Sequence, residues 1–223
     1  MEVKLTQEDI PEILRYLAYK DQYLDEELKK QVLDCMEKVN KAAEPKEIYK
    51  VFKMEKGNIP KELYFLTGEE IKKHLNGCNE IIIMAATLGV KVEKVMMREQ
   101  IKNMSNALIM DSCASVLIEA VCDTFESKIR KNISKESKFL TTRFSPGYGD
   151  LPIEIQKEFC NALNATKTIG LTVSESGIMI PRKSVTAVLG ISDYPVKKNK
   201  RTCNECNLKG SCRFRKNGVG CSE

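Results

Sequence analysis

The sequence predicts an α+β fold, a mixed or antiparallel sheet covered by helices, followed by a small metal-binding C-terminal tail. Three observations carry this reading. Helical and strand periodicities alternate, in the order helix, strand, helix, strand, helices, strand, helix, strand, strand. Hydrophobic residues make up 42% and charged residues 30% of the 223 positions, the balance of a chain that buries a sizeable core. Charge and cysteine are unevenly spread. Residues 196–223 hold eight cations against Glu205 and Glu223, a net of +6, so the rest of the +5 chain nets −1 (5 − 6).

Each element follows from local pattern. Residues 25–41 set Leu28, Val32, Cys35, Met36 and Val39 on one helical stripe. Residues 48–53 alternate as a strand and turn at Gly57-Asn58. Thr67 with Glu70 three residues on is a capping-box pattern, opening a short helix that stops near Gly77. Residues 78–88, with Ile81-Ile82-Ile83, read as a buried central strand. Residues 91–131 are helical, with a break expected at 103–106. The second of these helices is rich in small residues (Ala107, Ser112, Ala114, Ser115, Ala120) that let a neighbour pack closely. Residues 140–144 form a strand and 145–149, Ser-Pro-Gly-Tyr-Gly, a loop. Asp150 is placed as the cap of a helix over 151–163. Residues 168–173 and 184–191 read as two more strands, and 197–201 as a charged linker.

Several chemistries are excluded early. The single histidine, His74, rules out histidine-rich metal centres, serine–histidine triads and histidine pairs. Its charged neighbours in 69–75 predict a solvated position. No run approaches the ~20 apolar residues of a membrane helix, and the acidic, mixed first nine residues do not resemble a targeting peptide. A cytoplasmic location is expected. Cys35, Cys78, Cys113, Cys122 and Cys160 lie singly in apolar segments, as small buried hydrophobes. An odd total of nine argues against a disulfide framework.

The most informative segment of the body is Arg143-Phe144-Ser145-Pro146-Gly147-Tyr148. An arginine at a strand end offers a planar fork for a carboxylate. Pro146-Gly147 turns the chain tightly, and Tyr148 adds a ring face and a hydroxyl. Upstream stands Glu119-Ala120-Val121-Cys122-Asp123-Thr124-Phe125-Glu126, continuing to Lys131. Downstream stands Gly170-Leu171-Thr172-Val173-Ser174-Glu175-Ser176-Gly177, continuing to Pro181, then Ser184-Val185-Thr186-Ala187.

These blocks, in this order, resemble the S-adenosylmethionine-binding activation domain of cobalamin-dependent methionine synthase, over roughly residues 80–190. The resemblance implies a C-shaped α+β fold with a twisted, mainly antiparallel sheet flanked by helices. It divides the chain into residues 1–75, an N-terminal region of the domain, 76–195, the ligand-binding core, and 196–223, the tail. It also implies a function. The family presents S-adenosylmethionine while cob(II)alamin is reduced, and methylation of the resulting cob(I)alamin completes the rescue. Arg143 and Tyr148 fall on ligand-contacting positions of the family's loop, with Ser145 and Gly147 between them, and Glu119 on a contacting glutamate of the preceding helix. Arg143 suits the ligand carboxylate, Glu119 its ammonium or a ribose hydroxyl, and Tyr148 its sulfonium through cation–π attraction. No general base is needed, since positioning is the protein's task. An aromatic pair of the fused enzymes is replaced here by Leu189 and Gly190. No Asp-x-His-x-x-Gly cobalamin motif is present, so cobalamin is expected on a partner, a methionine synthase or another corrinoid protein.

The tail sets Cys203-x-x-Cys206, Cys212 and Cys221 among Gly210, Gly218 and Gly220, a four-thiolate metal constellation. Structural zinc sites commonly show two close cysteine pairs, and only one is present. The uneven spacing favours a 4Fe–4S cluster, with zinc as the alternative. A cluster would bring an electron-transfer protein in as a further partner. Two other function classes stay open: a basic zinc-knuckle protein binding nucleic acid, disfavoured by a tail whose only aromatic is Phe214, and a non-catalytic scaffold subunit of a corrinoid methyltransferase.

Overall fold

Residues 80–87, Glu-Ile-Ile-Ile-Met-Ala-Ala-Thr, explain the architecture, because a strand apolar at nearly every position must be covered on both faces. The computed structural model describes residues 3–19, 24–196 and 210. Apart from short 3₁₀ turns, the elements in chain order are α1 (Ile10–Tyr16), α2 (Glu26–Ala42), β1 (Lys46–Lys53), α3 (Glu69–His74), β2 (Glu80–Thr87), α4 (Val90–Lys102), α5 (Met104–Ser134), β3 (Phe139–Leu140), α6 (Gln156–Leu163), α7 (Ala165–Ile169), β4 (Thr172–Val173), β5 (Met179–Ile180) and β6 (Ser184–Ser192). One sheet runs β1-β2-β6-β3 with every pair antiparallel, and β4-β5 form a separate ribbon.

Two cores lie on opposite faces of that sheet. Ile82, Met84 and Ala86 of β2 join residues of α1, α2, α4 and α5. Ile81, Ile83 and Ala85 join α3, α6 and α7. All six are fully buried, each larger side chain contributing about 1.5–3 kcal/mol relative to exposure. β1 is the edge strand, and Lys46, Glu47 and Lys50 put charge on it. It pairs with β2 from Lys46↔Thr87 to Lys53↔Glu80. Thus the α+β expectation, with an antiparallel sheet flanked by helices, describes the molecule. No helix among the described residues is long and apolar enough to cross a membrane.

Four local expectations are corrected. The capping box at Thr67 does not form. Gly68 is the N-cap of α3 and gives no side chain. Asp150 fills that role from a distance, its Oδ2 accepting from Glu69 N (2.6 Å) and its Oδ1 from Glu70 N (3.1 Å). Asp150 therefore caps α3 rather than its own following helix, which starts only at a 3₁₀ turn over Ile153–Ile155. Only Thr172 and Val173 of the expected strand 168–173 are strand, as β4; Thr168 and Ile169 close α7, where Thr168 Oγ1 donates to Asn164 O (2.7 Å), and Gly170, at φ +72°, ends the helix. Expected strand 140–144 pairs regularly only at Phe139 and Leu140. The reason is one extra residue. Leu140 faces Ile191 and Phe144 faces Val188, so four steps on this strand match three on β6. The break expected at 103–106 falls at Asn103, whose Oδ1 accepts from Asn106 N at the start of α5 (3.1 Å).

Candidate ligand-binding site

The extra residue before Phe144 is what builds the site. Phe144 stays hydrogen-bonded to Val188 in both directions (2.9 and 2.8 Å) and buries its ring in the α3/α6 core. Arg143, one residue earlier, is 19% exposed on its side chain and reaches α5. There Glu119, Asp123 and Glu126 stand one turn apart, at i, i+4 and i+7, on a single helical face. Arg143 Nη2 donates to Asp123 Oδ1 (2.7 Å) and Glu119 Oε2 (3.2 Å), and Nε lies 3.7 Å from Glu126 Oε2. Glu126 also receives Arg130 Nη2 (2.6 Å). Three carboxylates against two guanidinium groups leave this cluster at −1.

One donor is left over. Arg143 Nη1 is buried, and among the described residues no acceptor lies within hydrogen-bond reach. A buried unsatisfied donor costs stability unless an acceptor arrives. Burial raises the Glu119 carboxyl pKa, Arg143 opposes this and Asp123 adds to it. Beneath the cluster the fully buried Cys122 is pushed up to about 12 by burial, so it remains a thiol and supplies no counter-charge.

The loop that follows is tied to itself. Tyr148 N donates to Ser145 O (3.0 Å), Gly147 N to Leu151 O (2.8 Å) and Leu151 N to Tyr148 O (3.0 Å). Consequently the backbone N–H groups of Gly147 and Tyr148 are spent inside the turn. Gly147 sits at φ +90°, a conformation glycine adopts without strain. Tyr148 is 53% exposed, with its ring edge-on to Phe144 at 6.4 Å. Tyr16, at the end of α1, is raised in pKa by burial and then by the charge of Glu119, with a smaller contribution from Tyr148, which sets α1 beside this face.

Sequence reasoning thus named residues that the fold brings together: Glu119 touches Arg143 directly, and Ser145, Gly147 and Tyr148 form the adjoining turn. It missed Asp123 and Glu126, although their spacing from Glu119 was a usable helical signal. His74 it misplaced. The imidazole is half-buried, with Nε2 3.0 Å from Thr141 Oγ1 and its ring 5.1 Å from that of Phe144. Leu189 is fully buried in the α5-side core, and a side chain at Gly190 would collide with Cys78 Sγ, so neither position presents an aromatic ring to this site. Cys203, Cys206, Cys212 and Cys221 lie outside the described residues. Among the described residues, no cluster of three or more His, Cys, Asp or Glu is arranged to hold a metal.

Known proteins resemble this chain in sequence pattern and in fold. The family model of the vitamin B12-dependent methionine synthase activation domain matches residues 36–194, starting well upstream of residue 80. Among solved structures, the chain is similar to a crystal structure of the MetH reactivation domain bound to AdoHcy, with a TM-score of 0.57 and 15% identity, covering 94% of this chain and 77% of that one. No curated protein matches. With the family model spanning most of the described body, including both Glu119 and the Arg143 loop, the chain belongs to the vitamin B12-dependent methionine synthase activation domain family.

Proposed function

We propose that this protein binds S-adenosylmethionine on the Arg143 face and supports reductive methylation of cob(II)alamin held by a separate cobalamin-dependent methionine synthase or other corrinoid protein. The single observation carrying this is the buried, unanswered Nη1 of Arg143. It is a donor awaiting an acceptor at the position where the family resemblance expects the ligand carboxylate. Asp123, 70% exposed on its side chain, can swing into solvent and free Nη2 for a bidentate grip. Glu119 then answers the ammonium. Local charge agrees, since a cluster at −1 complements a ligand carrying one carboxylate, one ammonium and one sulfonium. The fold neighbour holds AdoHcy, the demethylated form of the same ligand.

When bound, S-adenosylmethionine supplies an electrophilic methyl group on its sulfonium. The chain's own residues orient it: Arg143 fixes the amino-acid end, and the half-exposed Tyr148 ring offers a face to the cation, worth about 0.5–2 kcal/mol. Cys203, Cys206, Cys212 and Cys221 are proposed to hold a 4Fe–4S cluster, with zinc as the alternative, and a cluster would take its electron from an electron-transfer partner. Calorimetric titration with S-adenosylmethionine tests the reading. Arg143→Ala is expected to weaken binding about tenfold or more, the scale of one lost charge-assisted contact. An unchanged dissociation constant in the folded variant rejects the site.

A further inference from the structure

The loop carrying Arg143 and Tyr148 has both of its ends on one short helix. At the N-terminus of α3, Asp150 accepts from Glu69 N and Glu70 N (2.6 and 3.1 Å). Contact there is close enough to dictate residue type. A Cβ on Gly68 would lie 2.5 Å from Asp150 Oδ1, and one on Gly149 would lie 2.9 Å from Glu70 Cβ. At the C-terminus of α3, His74 Nε2 sits 3.0 Å from Thr141 Oγ1 and its ring backs Phe144 at 5.1 Å.

Thr141 Oγ1 has one proton and two lone pairs. Gly190 N occupies one lone pair (2.8 Å), and Thr142 O takes the proton (3.1 Å). With the proton on that side, what remains is a lone pair, and His74 is assigned the Nε2–H tautomer that fills it. Thr141 is thereby fixed between β6 and α3, two residues before Arg143. Phe144, fixed between the imidazole and Val188, stands against the Tyr148 ring.

We infer that α3 braces this loop, with His74 as a positioning residue that acts on Arg143 through Thr141 and on Tyr148 through Phe144. The ligand consequences rest on the proposed function; the brace itself does not. Two variants separate its parts. His74→Gln keeps an N–H donor near the Nε2 position, whereas His74→Phe keeps a ring and loses the donor.

Hydrogen exchange on the full ligand-free chain is the first readout. In His74→Phe, the Gly147, Tyr148 and Leu151 amides are expected to exchange about tenfold faster, while those of β2 stay unchanged and His74→Gln restores most of the protection. Equal loop exchange in all three proteins overturns the inference. The wild type gives a second readout that needs no variant to fold. Its sole histidine contributes one imidazole signal set, and a slowly exchanging Nε2–H near neutral pH is expected. A rapidly exchanging Nε2–H overturns the bond to Thr141. Calorimetry with S-adenosylmethionine adds the functional arm: His74→Phe should bind about fivefold more weakly and His74→Gln within twofold of wild type. Unchanged binding in folded His74→Phe overturns the positioning role. Should the wild type bind no S-adenosylmethionine while its loop exchange responds to His74 as described, the ligand reading fails and the brace stands.

Discussion

Arg143 engages three carboxylates and still holds one donor in reserve, and that asymmetry makes it the residue to test first. Its pairs with Glu119 and Asp123 are partly exposed, so each stabilises the fold by only about 0–1 kcal/mol. Removing the guanidinium should therefore affect ligand binding far more than stability. Tyr148 is the complementary case. Its ring lies half-exposed against Phe144 and its backbone closes the turn. If the ring face meets the sulfonium, Tyr148→Ala should impair reactivation of a cob(II)alamin partner more than Tyr148→Phe does. Equal losses in the two variants would assign the role to the hydroxyl. Both residues were legible in the sequence because arginine at a strand end and Pro-Gly-Tyr after it are local signals. The i+4 and i+7 spacing of Asp123 and Glu126 from Glu119 was legible too, but that Arg143 meets this face depends on the packing of its strand against α5.

At the scale of elements, α3 and the loop it caps show how a short helix is stabilised from outside. Six residues with no side-chain cap of their own would be marginal alone. Asp150 supplies the missing acceptor from about eighty positions away in sequence. The Glu69 N–H, then Glu70 N–H, hold its carboxyl below the ordinary value, and Lys73 adds to this. A carboxylate whose folded pKa is depressed contributes stability above its unfolded pKa of about 3.9 and loses that contribution as pH falls through the folded value. Asp150→Ala is accordingly expected to melt below wild type at neutral pH, and the gap should narrow as pH falls below about 4. A melting difference independent of pH would show that the carboxylate charge is not the stabilising feature. Local sequence suggested Thr67 for this cap because a capping box is a contiguous motif. The Gly68 backbone at φ +121° and the close approach of Asp150 replaced it.

For the molecule as a whole, the question is whether two functions share one chain. The body carries a near-neutral charge and the proposed ligand site, while the tail is basic and cysteine-rich. If the four tail cysteines hold a 4Fe–4S cluster, anaerobically purified protein should be brown, with broad absorbance near about 400 nm, and Cys206→Ser should lose it. A colourless, zinc-loaded protein would remove electron relay from the proposal and leave the ligand site as it stands.

The sequence by itself determined the α+β class, the buried central strand and the long small-residue helix, because hydrophobic period and turn chemistry are local properties. It also determined which blocks carry the family pattern, and the match over residues 36–194 extends that pattern upstream into α2 and β1. Tertiary structure alone decided three matters. The extra residue between Leu140 and Phe144 depends on pairing with β6, which sends Arg143 to α5 and Phe144 to the opposite core. The Asp150 cap depends on α3 lying beside the loop. His74, read as solvated from its charged neighbours, is drawn against Thr141 and Phe144 because helix winding turns it away from them. In each case the deciding partner is distant in sequence, and only packing brings the two within hydrogen-bond or contact range.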